Sequence, residues 1–206
     1  EWPIATYDLA NTSHNPFAEP PRSEPDAAWT YDAEESVHSL VVADDTVFVA
    51  TERRILALGA AGGDRRWKRS AADGPYLLWI DGRLYAATTS WLRAYDADGD
   101  MAWEYGTDRD SLGYYQVLER VGRVFLLFRD RIVRLHADTG ERLGEQSVGG
   151  WFPSTSGGVV YAGQYSIGAY DVEGTVDERW SASPADLQRA YSFPALANGL
   201  LYRPES

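Results

Sequence analysis

Residues 81–105 read DGRLYAATTSWLRAYDADGDMAWEY, and this stretch decides the fold of the chain. Asp81-Gly82 is a hairpin pair, because a type I′ turn needs positive φ at both central positions. Short apolar and aromatic runs follow it, a second pair comes at Asp98-Gly99, and the stretch ends in an aromatic run around Trp103. Such runs between turn pairs predict antiparallel strands rather than helices.

The same unit recurs along the whole chain. An aromatic residue follows a turn and a small apolar run at intervals of 37, 40, 36 and 41 residues: Phe48, Tyr85, Phe125, Tyr161 and Tyr202. A second marker keeps step at 38, 36, 40 and 37 residues: Trp29, Trp67, Trp103, Leu143 in the same slot, and Trp180. A period near forty is typical of four-stranded propeller blades. We therefore predict an all-β chain, a β-propeller of four-stranded antiparallel blades, with four complete repeats and a partial fifth. The tryptophans are expected to pack between neighbouring blades.

The repeats occupy residues 28–206, and residues 1–27 form a different segment. Prolines crowd this segment, and because proline lacks the backbone donor of a central strand, we expect an extended N-terminal arm. The partial fifth unit would expose unpaired strand edges. Three arrangements answer this: the chain is the front part of a longer propeller, the arm completes a small ring of about five blades, or copies associate through open edges. The first is favoured, and the strand-like runs 2–7 and 28–31 support the second.

The charge balance is strongly acidic. Asp and Glu number 31 against 19 Lys and Arg, the net charge is −12, and Lys68 is the only lysine. A negative chain repels phosphate backbones, so nucleic acid is excluded as a partner. Excess carboxylate with almost no lysine favours a high-salt organism such as a haloarchaeon. The alternative is an acidic mesophilic protein from a GC-rich genome.

The high-salt interpretation makes a direct prediction. The thermal unfolding midpoint should rise as KCl goes from dilute to molar, because salt shortens the screening length to about 3 Å at 1 M and weakens self-repulsion. Far-UV circular dichroism follows the transition. A midpoint that falls with added KCl would leave only the mesophilic alternative.

Cysteine usage and hydropathy set further limits. The chain has no cysteine, which excludes disulfides, thiolate metal sites and cysteine nucleophiles. No apolar run is long enough to span a membrane, and the first thirty residues do not follow the pattern of a signal peptide. The chain opens at Glu1, so we expect that a preceding segment has been removed, and a lipid anchor is one form of it. Asn11-Thr12-Ser13 is a glycosylation sequon that would matter only outside the cell.

Residues 81–105 resemble the repeat of the pyrroloquinoline-quinone-like β-propellers, which reads roughly turn, V-Y-V-G, turn, L-Y-A-L-D, T-G and W. Residues 137–141 resemble its D-x-x-T-G-E part, and residues 2–12 resemble the opening of many secreted members. The resemblance implies a propeller of seven or eight blades at the cell surface, often as a lipoprotein. It also implies one of two functions: a scaffold that binds no quinone, or a dehydrogenase that holds the quinone over calcium.

A dehydrogenase of that family would use a catalytic aspartate, calcium ligands, a stacking tryptophan and often a vicinal disulfide. That set does not map onto this chain. We therefore predict no catalytic residue, no metal site and no cofactor, with the quinone and calcium as the alternative. The favoured function is a non-enzymatic, extracytoplasmic scaffold or ligand-binding module that takes a protein partner or a small ligand at a propeller face. The alternatives are a quinone-dependent dehydrogenase, or a fragment of one, and a carbohydrate-binding module.

Three aromatic residues are candidates for a ligand site, because they lie near the start of a repeat unit, where propeller strands line the central channel: Trp79, Tyr115 and Phe152. They would stack on a planar or sugar ligand, although packing between blades is the favoured interpretation. Asp96, Asp98 and Asp100 alternate as in a calcium loop, but the slot of Asp96 in the repeat predicts a turn, and His136 shares that slot. The basic run 65–69 is dense enough to bind carboxylates, although pairing with nearby aspartates is the simpler interpretation.

Overall fold

The computed structural model describes Glu24 and residues 26–106, 114–128, 130–148, 154–156, 158–162, 167–172, 176–182, 195–197 and 200–202. These residues form β-strands and no helix, so the all-β prediction is confirmed. Most of the N-terminal arm, Asn11 and Phe152 lie outside the described residues.

Four sheets of four antiparallel strands follow one another, each with its strands paired in chain order. The first two sheets contain β1 (Val37–Ala43), β2 (Thr46–Thr51), β3 (Arg54–Gly59), β4 (Arg65–Ser70), and β5 (Tyr76–Ile80), β6 (Arg83–Ala87), β7 (Trp91–Tyr95), β8 (Met101–Gly106). The third and fourth contain β9 (Tyr114–Arg120), β10 (Arg123–Phe128), β11 (Arg131–His136), β12 (Arg142–Ser147), and β13 (Ser154–Ser156), β14 (Val159–Ala162), β15 (Ile167–Asp171), β16 (Asp177–Ala182). A two-stranded sheet follows, with β17 (Ala195–Ala197) and β18 (Leu200–Tyr202). These are the four complete repeats and the partial fifth that the sequence predicts.

The second strand of each sheet is more buried than the last strand. β2 is buried at all six positions, whereas β16 is exposed at all six. The second strands read as continuous apolar runs because both of their faces are covered. The outer strands carry charged side chains, which discourage pairing along an open edge.

The chain divides into two compact units. Among the described residues, the first contains those up to Thr88 together with Leu92–Ala102, and the second contains Thr89–Trp91 and those from Trp103 onward. In the first unit β1 lies beside β5, and in the second unit β13 lies beside β17. The first three residues of the aromatic repeat marker, Phe48, Tyr85 and Phe125, are almost completely buried, whereas Tyr202 is 50% exposed.

The hairpin turns hold their central residues at positive φ, as the sequence predicts for Asp81-Gly82, where φ is 47° and 78°. The same prediction is wrong for Asp98-Gly99, where only Gly99 has a positive φ. The reason is a side-chain bond: Asp96 Oδ1 accepts from the backbone amides of Asp98 and Asp100, which makes a longer loop. The residues 28–31 also differ from expectation, since no strand includes them. They contact the first sheet through the Trp29 and Tyr31 side chains.

Val121 occupies an unfavourable position at the tip of the β9–β10 hairpin. Its φ is 53°, a region that β-branched residues rarely adopt, and its side chain is exposed. The corresponding turns hold Asp44 and Asp81 there. Because asparagine accepts this conformation, Val121→Asn should stabilise the chain by about 1–2 kcal/mol. Chemical denaturation measures the gain, and Val121→Thr, which keeps the branched Cβ, serves as the control. No difference between the two variants would contradict the strain.

Candidate functional site

Trp67 on β4 contacts a turn one repeat further along the chain. Its indole Nε1 donates to the carbonyl oxygen of Ala97 at 2.8 Å. The ring lies over Gly99, where an added Cβ would come within 2.7 Å of the indole ring. Gly99 also has a φ of 79°, so both the conformation and the space require glycine. The turn and the tryptophan therefore define one docking contact.

The docking contact is repeated by Trp103. Its Nε1 donates to the carbonyl oxygen of Ala137 at 2.7 Å, and its ring lies over Gly140, whose φ is 69°. Trp103 is only 6% exposed. The prediction that these tryptophans pack between repeats is confirmed for Trp67 and Trp103.

Trp29 makes the third copy of the contact from outside any strand. Its Nε1 donates to Ala60 O at 2.9 Å, and its ring lies over Gly63. The later slots differ: Leu143 is exposed, and Trp180 is 45% exposed with its ring centroid 6.1 Å from that of Tyr161.

The structure places Trp79, the first candidate for a ligand site, in the packing between β2 and β5. Its ring stacks on Phe48 with centroids 5.0 Å apart and planes at 17°, and it is 7% exposed. Tyr115 lies in β9, and its side chain is outside the described set, as is all of Phe152. The ligand role of Trp79, Tyr115 and Phe152 stays a prediction.

The calcium-like turn, residues 96–100, is held by hydrogen bonds between its own residues. Asp96 Oδ1 accepts the amides of Asp98 at 3.0 Å and Asp100 at 2.8 Å, and Asp100 Oδ1 accepts from Arg69 Nη2 at 3.1 Å. A carboxylate used by two amides and another beside a guanidinium do not fit a calcium site. Among the described residues, no group of three or more His, Asp or Glu side chains is placed to hold a metal ion. His136 acts as the turn residue that the repeat predicts, since its Nδ1 accepts from the Asp138 amide at 3.2 Å.

Glu35, just before β1, is the charged group that sequence reasoning missed. Its side chain is 9% exposed, and its carboxylate accepts from Thr51 Oγ1 at 2.6 Å. The backbone amide of Arg53 also donates to it, and the Arg53 and Arg54 guanidinium groups lie within 3.6 Å. The Thr51 hydrogen bond is the main cause that lowers the pKa of Glu35, with the Arg53 amide and the two guanidinium charges adding to it. No local motif signals this contact, because the partners lie at least sixteen residues along the chain.

The lowered pKa of Glu35 predicts a pH dependence of stability. A carboxyl with a depressed folded pKa adds stability that is present above its unfolded pKa and is lost as pH falls through the folded value. Glu35→Gln should therefore be less stable near neutral pH and lose less on acidification below about pH 4.3. Thermal midpoints from pH 7 to pH 3 measure this slope. Glu52→Gln, an exposed carboxyl in the β2–β3 turn, is the matched control and should follow the wild type. Identical slopes for all three proteins would contradict the role of Glu35.

The four basic residues of β4 fall into two pairs with different surroundings: Arg66 and Arg69 make hydrogen bonds, and Arg65 and Lys68 line a cleft. Arg66 Nη1 donates to Thr46 Oγ1, and Arg69 donates to the carbonyl oxygens of Asp98 and Gly99. The expectation of local pairing is therefore met by Arg69, which also bonds Asp100. Arg65 and Lys68 instead line a cleft of about 80 Å³. This cleft is lined by Tyr31, Asp32, Ala33, Glu34, Arg54, Leu56, Arg65 and Lys68.

Consecutive four-stranded sheets joined by repeated tryptophan contacts define a β-propeller. Its repeats are those of the pyrroloquinoline-quinone-like propellers. The profile of the family described as outer membrane protein assembly factor BamB matches residues 23–205, and the chain belongs to this family. A comparison with curated protein sequences gives no match.

Solved structures with the same fold include a BamB protein and two dehydrogenases. BamB from Moraxella catarrhalis is 20% identical, with a TM-score of 0.65, over 81% of this chain and 58% of that one. The quinohemoprotein alcohol dehydrogenase from Comamonas testosteroni is 17% identical, with a TM-score of 0.65, over 88% of this chain and 41% of its own. A europium-containing methanol dehydrogenase is 14% identical, with a TM-score of 0.68, over 88% and 48%. The chain thus spans less than two thirds of each of these relatives. In the described part of the chain, no helix is long and apolar enough to cross a membrane.

Proposed function

We propose that the chain is a non-enzymatic propeller that binds protein partners outside the cytoplasm. The observation that carries this proposal is the match of residues 23–205 to the family described as outer membrane protein assembly factor BamB. That name describes a protein that helps to assemble others. The likeness to the two dehydrogenases is a likeness of fold, and fold alone assigns no activity.

The contacts of three aromatic and acidic side chains favour a binding protein over a quinone-dependent enzyme. Trp79 is stacked on Phe48, Trp103 is docked on Gly140, and the acidic turn at Asp96 bonds its own amides. A quinone over calcium needs a free stacking ring and free carboxylates, and these residues do not fit that group.

The first unit exposes apolar side chains on its two neighbouring first strands. Val37 and Leu40 on β1 are 54% and 49% exposed, and Tyr76 on β5 is 68% exposed. Tyrosine is enriched at protein interfaces, because it combines a large apolar ring with a polar tip. These three side chains are the surface that we expect a protein partner to contact.

Site-specific photo-cross-linking in the native host tests the proposal. A photoreactive phenylalanine analogue at Tyr76 should give discrete heavier bands that fractionate with the cell envelope, and mass spectrometry identifies them. The same analogue at Met101, which is exposed on the outer strand β8, is the control and should give none of these bands. The absence of a band specific to position 76 would count against the proposal.

A second experiment addresses the dehydrogenase alternative. Purified chain is titrated with pyrroloquinoline quinone in the presence and absence of Ca²⁺, and dye-linked oxidation of alcohols and sugars is followed in molar KCl. We expect no calcium-dependent, saturable change in quinone absorbance and no oxidation. A calcium-dependent absorbance change together with dye-linked oxidation would contradict the scaffold proposal and show an enzyme. A saturable change in tryptophan fluorescence with a glycan panel would favour the carbohydrate-binding alternative.

A further inference from the structure

The cleft beside β4 contains two basic side chains, Arg65 and Lys68, and few free carboxylates. Its wall includes two acids, and both are engaged: Asp32 Oδ1 accepts from the Glu34 amide at 2.9 Å, and Glu34 Oε2 lies 2.8 Å from Arg54 Nη1. Arg54 is also within 3.6 Å of Glu35. Within the described residues, the side chains of Arg65 and Lys68 make neither an ion pair nor a hydrogen bond; both residues take part in the β3–β4 pairing through their backbones. The chain has 31 acidic and 19 basic residues, so two neighbouring cations without an ion pair are unexpected.

The register of the sheet aims both cations into the cleft. Residues three apart on a regular strand point to opposite faces. The β3–β4 ladder contains a bulge, however, so that Arg65 lies opposite Leu58 and Lys68 lies opposite Leu56. Leu56 and Leu58 belong to the cluster that Trp29 and Tyr31 cover, and the extra residue returns Arg65 to that same face. The bulge therefore brings the two cations together.

We propose that this cleft binds a carboxylate group, held by the guanidinium of Arg65 and the ammonium of Lys68. Two cations next to one acid that is not ion-paired, Asp32, leave about one positive charge, which matches a single negative charge better than a dianion. The planar guanidinium suits a carboxylate, and Tyr31, a residue with a hydroxyl donor, also lines the cleft. A volume of about 80 Å³ has room for one such group with water.

The carboxylate has two sources that share this chemistry. It is carried either by a small free acid or by an acidic side chain of a bound protein. The second source rests on the proposed function, whereas binding of a free acid does not. The two can be separated by experiment.

Lys68 provides an unusually clean reporter, because it is the only lysine of the chain. Labelling with ¹⁵N-lysine gives a single backbone amide signal from the strand that lines the cleft. Acetate at constant ionic strength should shift this signal saturably. Arg65→Gln should weaken acetate binding at least tenfold, and Arg142→Gln, which removes the same charge from a residue outside the cleft, should leave it unchanged. Arg65 is exposed, so the Arg65→Gln variant should fold. A circular dichroism spectrum identical to that of the wild type checks this.

Chloride and phosphate titrations decide whether the site prefers carboxylates. Half-saturation by chloride or phosphate at the same concentration as acetate would overturn the carboxylate assignment, as would a linear, non-saturating response to acetate. A short acetylated and amidated peptide with one Glu is then compared with its Gln analogue. Tenfold tighter binding of the Glu peptide than of acetate assigns the site to a protein side chain. Equal or weaker binding assigns it to a free acid. Because acetate binding needs no protein partner, a failed cross-link at Tyr76 and a failed cleft remain distinguishable.

Discussion

Replacing Trp103 with alanine should lower the free energy of unfolding by about 3–5 kcal/mol, the range for removing a large buried aromatic side chain. Trp103 is 6% exposed, and its loss leaves a cavity and removes the hydrogen bond from its indole to the Ala137 carbonyl oxygen. The ring also covers Gly140, so the turn between β11 and β12 would lose its contact. Urea unfolding followed by circular dichroism measures the loss.

Trp180 is the matched control for this prediction. It holds the same slot of the repeat, but it is 45% exposed. Trp180→Ala should therefore cost about 1 kcal/mol or less, as for exposed positions in general. Equal losses for Trp103→Ala and Trp180→Ala would mean that the docking contact does not stabilise the fold.

The strands could be predicted because local signals agree with the repeat. The second sheet shows this best: the apolar run Tyr76–Ile80 between a turn and Asp81-Gly82 is β5. The period also predicts tryptophan packing, because a position that recurs every repeat must serve the contact that recurs. It does not predict the carbonyl acceptor at Ala137, since that atom lies thirty-four residues away.

The sites were harder to predict because they depend on register and on distant partners. The dipeptide Asp98-Gly99 predicts a tight turn, but the Asp96 carboxylate accepts hydrogen bonds from the Asp98 and Asp100 amides and makes the loop longer, which nothing in the dipeptide shows. The pairing of Glu35 with Thr51 joins a segment before β1 to the end of β2. The basic run on β4 was visible as composition, but only the bulge shows that Arg65 shares a face with Lys68.

Gly140→Ala should be the second large effect, a loss of about 2–5 kcal/mol. One part is the backbone, since the left-handed conformation costs an L-residue about 1–2 kcal/mol, and φ at Gly140 is 69°. The other part is overpacking, typically about 1–3 kcal/mol, because the new methyl would lie 2.6 Å from the Trp103 ring. Gly122→Ala isolates the first part: its φ is 67°, and apart from its own chain neighbours no atom lies within 4 Å of the added Cβ. Gly140→Ala should therefore cost more than Gly122→Ala by the overpacking part.

The double variant separates the two causes within one site. In the Trp103→Ala background the ring that the methyl would meet is gone, so Gly140→Ala should cost only what Gly122→Ala costs, about 1–2 kcal/mol. The two substitutions should thus be less damaging together than the sum of their separate effects, by about 1–3 kcal/mol. Strict additivity would mean that the Trp103 ring moves aside at no cost, and the glycine would then be required by its conformation alone. A coupling of the expected sign would show that tryptophan and glycine act as one unit, which explains why both recur with the period of the chain.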